Sequence, residues 1–199
     1  MEAKDRILDF WFDKLSGVEE IPPQRFRLWF GGMEETDRLV RDRFEADLHR
    51  AMRGEYDHWT QTPRGALALI ILLDQFSRHI HRNAPQAYAF DHKALELCRT
   101  GLALGQDRSL SIIERAFFYL PLEHAEDSVM QQLSVRLFEE LLASSPEGMK
   151  KACEGFLDYA VRHQRIIERF GHFPHRNAVL GRHTTAEEEA FLQEPGSSF

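Results

Sequence analysis

LDQFSRHIHR, residues 73 to 82, is the stretch whose reading decides the fold. It follows eight consecutive apolar residues, Ala66 to Leu73. A helix that is apolar on all sides belongs in a protein interior, yet this one runs directly into Asp74, Gln75, Arg78 and His81. At about 100° per residue, with Asp74 at zero, Leu67 lies near +20°, Ile70 near −40°, Arg78 near +40° and His81 near −20°. The polar groups therefore prolong a face that the apolar residues begin. A charge carried into a core is costly unless paired, so partners for Asp74 and Arg78 are expected elsewhere in the chain.

Outward from this stretch the pattern is helical throughout. Upstream, Thr62 and Pro63 supply a side-chain cap and a first-turn proline, and Asn83 and Pro85 close the segment near His81. Before it, residues 3 to 15 place Ile7, Trp11 and Leu15 on one side, with Leu8 and Phe12 beside them. Gly17 and Pro22-Pro23 end that helix, and Arg25 to Phe30 reads as a short aromatic turn. Met33 to Met52 is charged, but Val40, Phe44, Leu48 and Ala51 recur at helical intervals, and Glu34, Glu35 and Asp37 suit the positive helix start.

After it, Pro85 to Leu104 forms a helix stopped by Gly105. Ser111 and Glu114 have capping-box spacing, Pro121 ends or kinks the helix they open, and Leu122 to Leu142 continues in helical period. Ser145-Pro146 starts a further helix to Phe170, stopped by Gly171. Thr184 and Glu187 repeat the capping-box spacing before a last short helix from Thr185. No sustained period-2 alternation and no Asn-Gly or Asp-Gly turn suggests a strand. The expectation is a single all-α domain over residues 1 to 199, with about seven or eight helices packed as antiparallel hairpins.

Composition narrows the class. The chain has 43% hydrophobic residues and 15 Phe, enough for a core. A formal charge of −7 and a pI near 5.8 argue against a nucleic-acid or anionic-membrane partner. Cys98 and Cys153, in helical patterns with no C-x-x-C, read as buried free thiols. The opening MEAKDRILDFWF has charges where a signal peptide needs an apolar core, and an apolar run of eight is far short of a membrane span. A cytoplasmic, soluble protein is expected; its oligomeric state is open.

Three further groups of residues can carry chemistry. In the run Glu123-His124-Ala125-Glu126-Asp127, helical spacing would gather three carboxylates and an imidazole in little more than one turn. That suits acid–base work or a divalent metal, and equally an acidic helix start paired to arginines. The known Glu-x-x-His di-metal spacing is not reproduced, so no metal ligands are assigned. His163 shares a helix face with Phe156, Tyr159, Ile167 and Phe170, which turns it into the core. It is either a hydrogen-bonded core histidine or a general base. Phe170 to Arg182 carries His175, Arg176, Asn177 and Arg182 in a segment fixed by Pro174 and Gly181. With Arg78 and Arg82, these arginines can cradle a carboxylate or phosphate, or can simply pair with Asp74, Glu123, Glu126 and Asp127. Among these, Glu123, Glu126, Asp127 and His163 are the candidate catalytic residues. Asp74, Arg78, Arg82, His175, Arg176, Asn177 and Arg182 are the candidate ligand-binding residues.

Four stretches together carry a family resemblance: LDQFSRHIHR, AYAFDHKAL (87 to 95), ERAFFYLPLEHAED (114 to 127) and FGHFPHRNAVLGR (170 to 182). With the opening ILDFWF and the ending Ser197-Ser198-Phe199, the whole chain resembles the bacterial domain-of-unknown-function family 924. The resemblance implies an all-helical fold related to tetratricopeptide-repeat arrays, although no strict repeat period shows. It does not imply an activity, and any cofactor is unknown. The chain departs from the family pattern at His79, His81 and His172, where Asn, Tyr and Arg are usual, so His81 and His172 are poor candidates for a shared function. The functional expectations are a small polar or anionic ligand site with hydrolase-type acid–base chemistry, or a peptide-binding scaffold whose polar motifs act as salt bridges.

Overall fold

The computed structural model describes residues 1–13, 15 and 21–198. All regular elements among the described residues are helical. The expected stop at Gly17 lies outside the described residues.

The chain is built around the helix of the opening stretch. Thr62 Oγ1 accepts a hydrogen bond from the Gly65 amide at 3.2 Å, capping α4 (Pro63–Ile70). The helix then passes through a π-helical turn (Ile71–Phe76) into α5 (Ser77–Ile80). Residues Ala66 to Leu73 are at most 2% exposed, as an all-round apolar helix requires. Four other helices wall it in: α1 (Ala3–Phe12), α3 (Glu34–Met52), α6 (Asp91–Ala103) and α7 (Ile112–Glu123). Trp11 meets Phe76 and Phe117 edge-on at 5.3 and 5.7 Å between ring centres, an arrangement that adds electrostatic attraction to the burial. Gly101 of α6 faces Phe118 of α7. A Cβ there would stand 2.4 Å from Phe118 Cζ, so no larger residue fits without a shift.

The rest packs outward. α2 (Pro23–Phe30) is a helix where the sequence suggested only a turn, started by Pro23 in a first-turn position. The expected helix over 85 to 104 divides into a 3₁₀ turn at Pro85–Tyr88 and α6. α8 (Ser128–Ala143) packs against α7 and α9 (Glu147–Phe170). Gly171, at φ +75°, ends α9 in a left-handed conformation that favours glycine. A last segment follows, with a 3₁₀ turn at Pro174–Arg176, α10 (Asn177–Leu180) and α11 (Ala186–Phe191). Its Phe173 joins Ile166 and Ile167 in a small second core, with Phe170 and Phe191 packed against it. No helix among the described residues is long and apolar enough to cross a membrane.

Three local expectations shift. α9 starts with Pro146 as its cap residue, while Ser145 Oγ turns back to donate to the Leu142 carbonyl. The final capping box is Thr185 with Glu188, one residue beyond the Thr184–Glu187 pair, which has the same spacing. Most important, 122 to 142 is not one helix. α7 ends at Glu123 with His124 as its cap, and α8 begins at Ser128.

Candidate functional site

That break distributes the EHAED run instead of stacking it on one helix face. Glu123, still helical, is buried at 3% exposure. Glu126, in the turn, accepts from the Phe173 amide at 2.8 Å and pairs with Arg182 at 2.7 Å. Asp127 accepts from the Val129 and Met130 amides at 2.8 and 3.0 Å, as a helix cap does. His124 points back toward the central helix.

The π turn places its partner. Asp74, with no exposed surface, accepts from His124 Nδ1 at 2.7 Å and Gln75 Nε2 at 2.6 Å, and its Oδ1 lies 3.3 Å from Arg78 Nη1. Burial pushes the Asp74 carboxyl up, but the charge of Arg78 and the contacts from His124 and Gln75 outweigh it and hold it well below the usual range. Arg78 then reaches over to α6, where it grips Asp91 bidentately at 2.9 and 3.0 Å. Arg176, from the C-terminal segment, also approaches Asp91, at a looser 3.4 Å. Its guanidinium lies 4.7 Å from the centre of the Tyr88 ring and 4.5 Å from that of Phe173. Burial and the like charge of Arg78 hold its pKa below normal.

Behind His124 lies a second buried layer. His163 of α9 donates from Nδ1 to the Tyr159 carbonyl at 2.8 Å, and Glu123 Oε1 lies 3.3 Å from the same nitrogen. The His124 and His163 rings are 6.1 Å apart. Burial, reinforced by the charge of Asp74, raises the Glu123 pKa well above the carboxylate range. Burial likewise pushes His124 and His163 down. The Glu123 Oε2 atom is buried and has no hydrogen-bond partner among the described residues.

In front of His124 a cleft of about 460 Å³ opens. Tyr88, Asp91 and His92 form one side, Pro121 and His124 to Asp127 another, and Arg176 and Leu180 the third. The elements that line it are the 3₁₀ turn at Pro85–Tyr88 with the start of α6, the end of α7 with the α7–α8 turn, and the C-terminal segment, so the cleft is made by residues far apart in sequence.

Asp74, Arg78, Arg176, Glu123 and His163 thus come together through His124 and Asp91. Glu126 and Asp127 reach the cleft rim, but both Glu126 oxygens are taken by Arg182 and Phe173, and Asp127 Oδ1 is taken by the α8 amides. Arg182 sits in that ion pair. His175 packs on Phe173 at 5.7 Å between ring centres, and burial, with the charge of Arg176, pushes its pKa down to about 4. Asn177 is fully buried, with no partner for either amide atom among the described residues. Arg82 is not in the cluster. It pairs with Asp37 on α3, which also meets His79 at 2.7 Å. His81 follows α5 as its half-buried cap residue, and it is His79 that is buried. The angular count from Asp74 assumed α-helical spacing, and the i→i+5 bonding of the π turn delays every later residue.

Sequence reasoning had not selected Tyr88, Asp91, His124 or Phe173. Asp91 and Tyr88 lie in AYAFDHKAL, where an aspartate at a helix start reads as a partner for the dipole. His124 was visible within the acidic run, overshadowed by its carboxylates.

Fold and site together define an all-helical protein with a polar cluster buried at its centre and a cleft opening onto it. The chain belongs to the family of bacterial proteins of unknown function DUF924, whose match spans residues 7–196. A solved structure of a protein of unknown function from Agrobacterium tumefaciens is similar to it. The two are 36% identical, with 96% of each chain covered and a TM-score of 0.80. No curated protein matches the chain.

Proposed function

We propose that the cleft binds a small polar ligand and receives its anionic group at Arg176. The observation that carries this reading is the state of that guanidinium. It is 7% exposed on its side chain, lies over two aromatic rings, and among the described residues has only a 3.4 Å ion pair to an Asp91 already gripped by Arg78. Its Nε has no partner among the described residues. A buried guanidinium so lightly bonded gains most from a carboxylate or phosphate that takes two of its N–H groups at once. His124 is the one member of the inner layer that lines the cleft, so hydrolase-type chemistry on the ligand would pass through it.

The test is a thermal-shift and calorimetric screen of small mono- and dicarboxylates and phosphate esters against the wild type and Arg176→Lys. At least one compound should stabilise the wild type, with affinity about 10-fold or more weaker in the lysine variant, because the fork is lost. Binding by none, or equal binding to both, would overturn the reading.

A second reading has its own observation. Arg82–Asp37, Arg182–Glu126 and Arg78–Asp91 are all closed ion pairs, and Asp127 is spent as a cap. On that reading the polar motifs hold helix hairpins in register in a tetratricopeptide-like array, whose partner is a peptide. Capture of extended peptides, undiminished by Arg176→Lys, would favour it.

A further inference from the structure

We infer that Glu123, His124 and His163 bind one divalent transition-metal ion, zinc by the chemistry of the donors. The proposal stands on the inner layer alone and does not require the anion reading of the cleft. One donor atom from each of the three side chains can be chosen so that all lie within 4.8 Å of one another. Two imidazoles and one carboxylate form the three-ligand set of catalytic zinc sites that keep a fourth position for water or substrate. A tetrahedral ion with bonds of about 2.0–2.1 Å needs donors roughly 3.4 Å apart, so a modest inward closure completes the shell.

Two independent observations point to an ion. The first is Glu123 Oε2, a carboxyl oxygen on a side chain only 5% exposed, left without a partner among the described residues. A buried oxygen in that state costs about 1–3 kcal/mol unless something meets it, and a cation would. The second is the way both rings are held. A carboxylate and a carbonyl can only accept, so the protons must sit on His124 Nδ1 facing Asp74 and on His163 Nδ1 facing Tyr159. Both tautomers direct an Nε2 lone pair away from those anchors. Asp74–His124 reproduces the carboxylate–histidine pairing that orients ligating imidazoles in metalloproteins. Asp74 is then a positioning residue, itself held by Gln75 and Arg78. His124, with 14% of its side chain exposed to the cleft, supplies an entry path from solvent.

The experiment uses the full-length protein stripped with a chelator, then titrated with Co²⁺ and Zn²⁺ alone. The wild type should take up one equivalent, with visible Co²⁺ absorption of four- or five-coordinate type that Zn²⁺ abolishes. Glu123→Gln keeps the side-chain shape and should weaken binding at least 100-fold. Asp74→Asn should weaken it about 10–100-fold, as loss of an outer-shell partner does. Failure of the wild type to bind stoichiometrically would overturn the proposal, and so would affinity unchanged in both Glu123→Gln and His163→Gln. The wild-type titration decides the matter even where a variant folds poorly. Arg176→Lys separates the two readings: it should bind metal as the wild type does, even where the anion screen fails.

Discussion

Asp74 has two oxygens and three groups competing for them: His124, Gln75 and Arg78 at 2.7, 2.6 and 3.3 Å. Its importance was legible because a carboxylate cannot follow eight apolar residues into a core without partners. Which partners they are was not, because His124 reaches Asp74, and Asp91 reaches Arg78, only once three helices have met. Around it, His79, His124, His163 and His175 all have pKa values lowered chiefly by burial. Each therefore resists protonation in the fold, while the unfolded chain takes protons up below about pH 6.5. Stability should accordingly rise with pH across that range and fall as acid is added. For His175, lowered to about 4, the loss between pH 6.5 and pH 4 amounts to about 2–3 kcal/mol. Urea unfolding at a series of pH values should show a shallower acid decline in His175→Gln than in the wild type. Parallel declines would show that His175 titrates normally. Asp74 and Asp37, both held below the usual carboxylate range, add a further loss only at lower pH.

At the scale of elements, helix starts were legible where the chemistry is local, as at Thr62-Pro63 and the Ser111–Glu114 box. They failed where two local solutions compete, as with Thr184 and Thr185. The π turn at Ile71–Phe76 left no trace in the sequence, since the apolar run that leads into it, Ala66 to Leu73, is apolar on every side and carries no periodic signal. The break after Glu123 was hidden for another reason, since residues on both sides of it keep a helical period. Pro121 lies inside α7, and the end of the helix is set by Asp127 capping the next one. Asp127 is therefore first a structural residue at the start of α8. Asp127→Ala should cost about 1 kcal/mol, lowering the melting temperature by about 2–4 °C. Asp127→Asn or Ser, which can still cap, should recover most of that loss. A variant series in which Asn and Ser are as damaging as Ala would show that the carboxylate does something beyond capping.

For the whole molecule, the question is what holds the last segment over the cleft. Among the described residues its ties to the body include Glu126 to Arg182 and to the Phe173 amide, Arg176 to Asp91, Arg169 to Glu187, and the small core around Phe173. No periodicity in the sequence could show this, because the ties to Glu126 and Asp91 join residues 47 to 85 positions apart. The Glu126–Arg182 pair is partly exposed, at 27% and 30%, and such pairs contribute on the order of 1 kcal/mol or less. The main body is built on the larger core and does not use them. Removing Glu126 should thus open the segment locally and leave the rest intact. In Glu126→Ala, hydrogen exchange at the Phe173 amide and through residues 174–182 should quicken about 10-fold or more, while amides of the central helix keep their protection. The melting temperature should fall by about 2–4 °C at most. If protection instead drops throughout the chain, the segment and the body unfold as one unit, and the cleft has a rigid roof in place of one that can lift to admit a ligand.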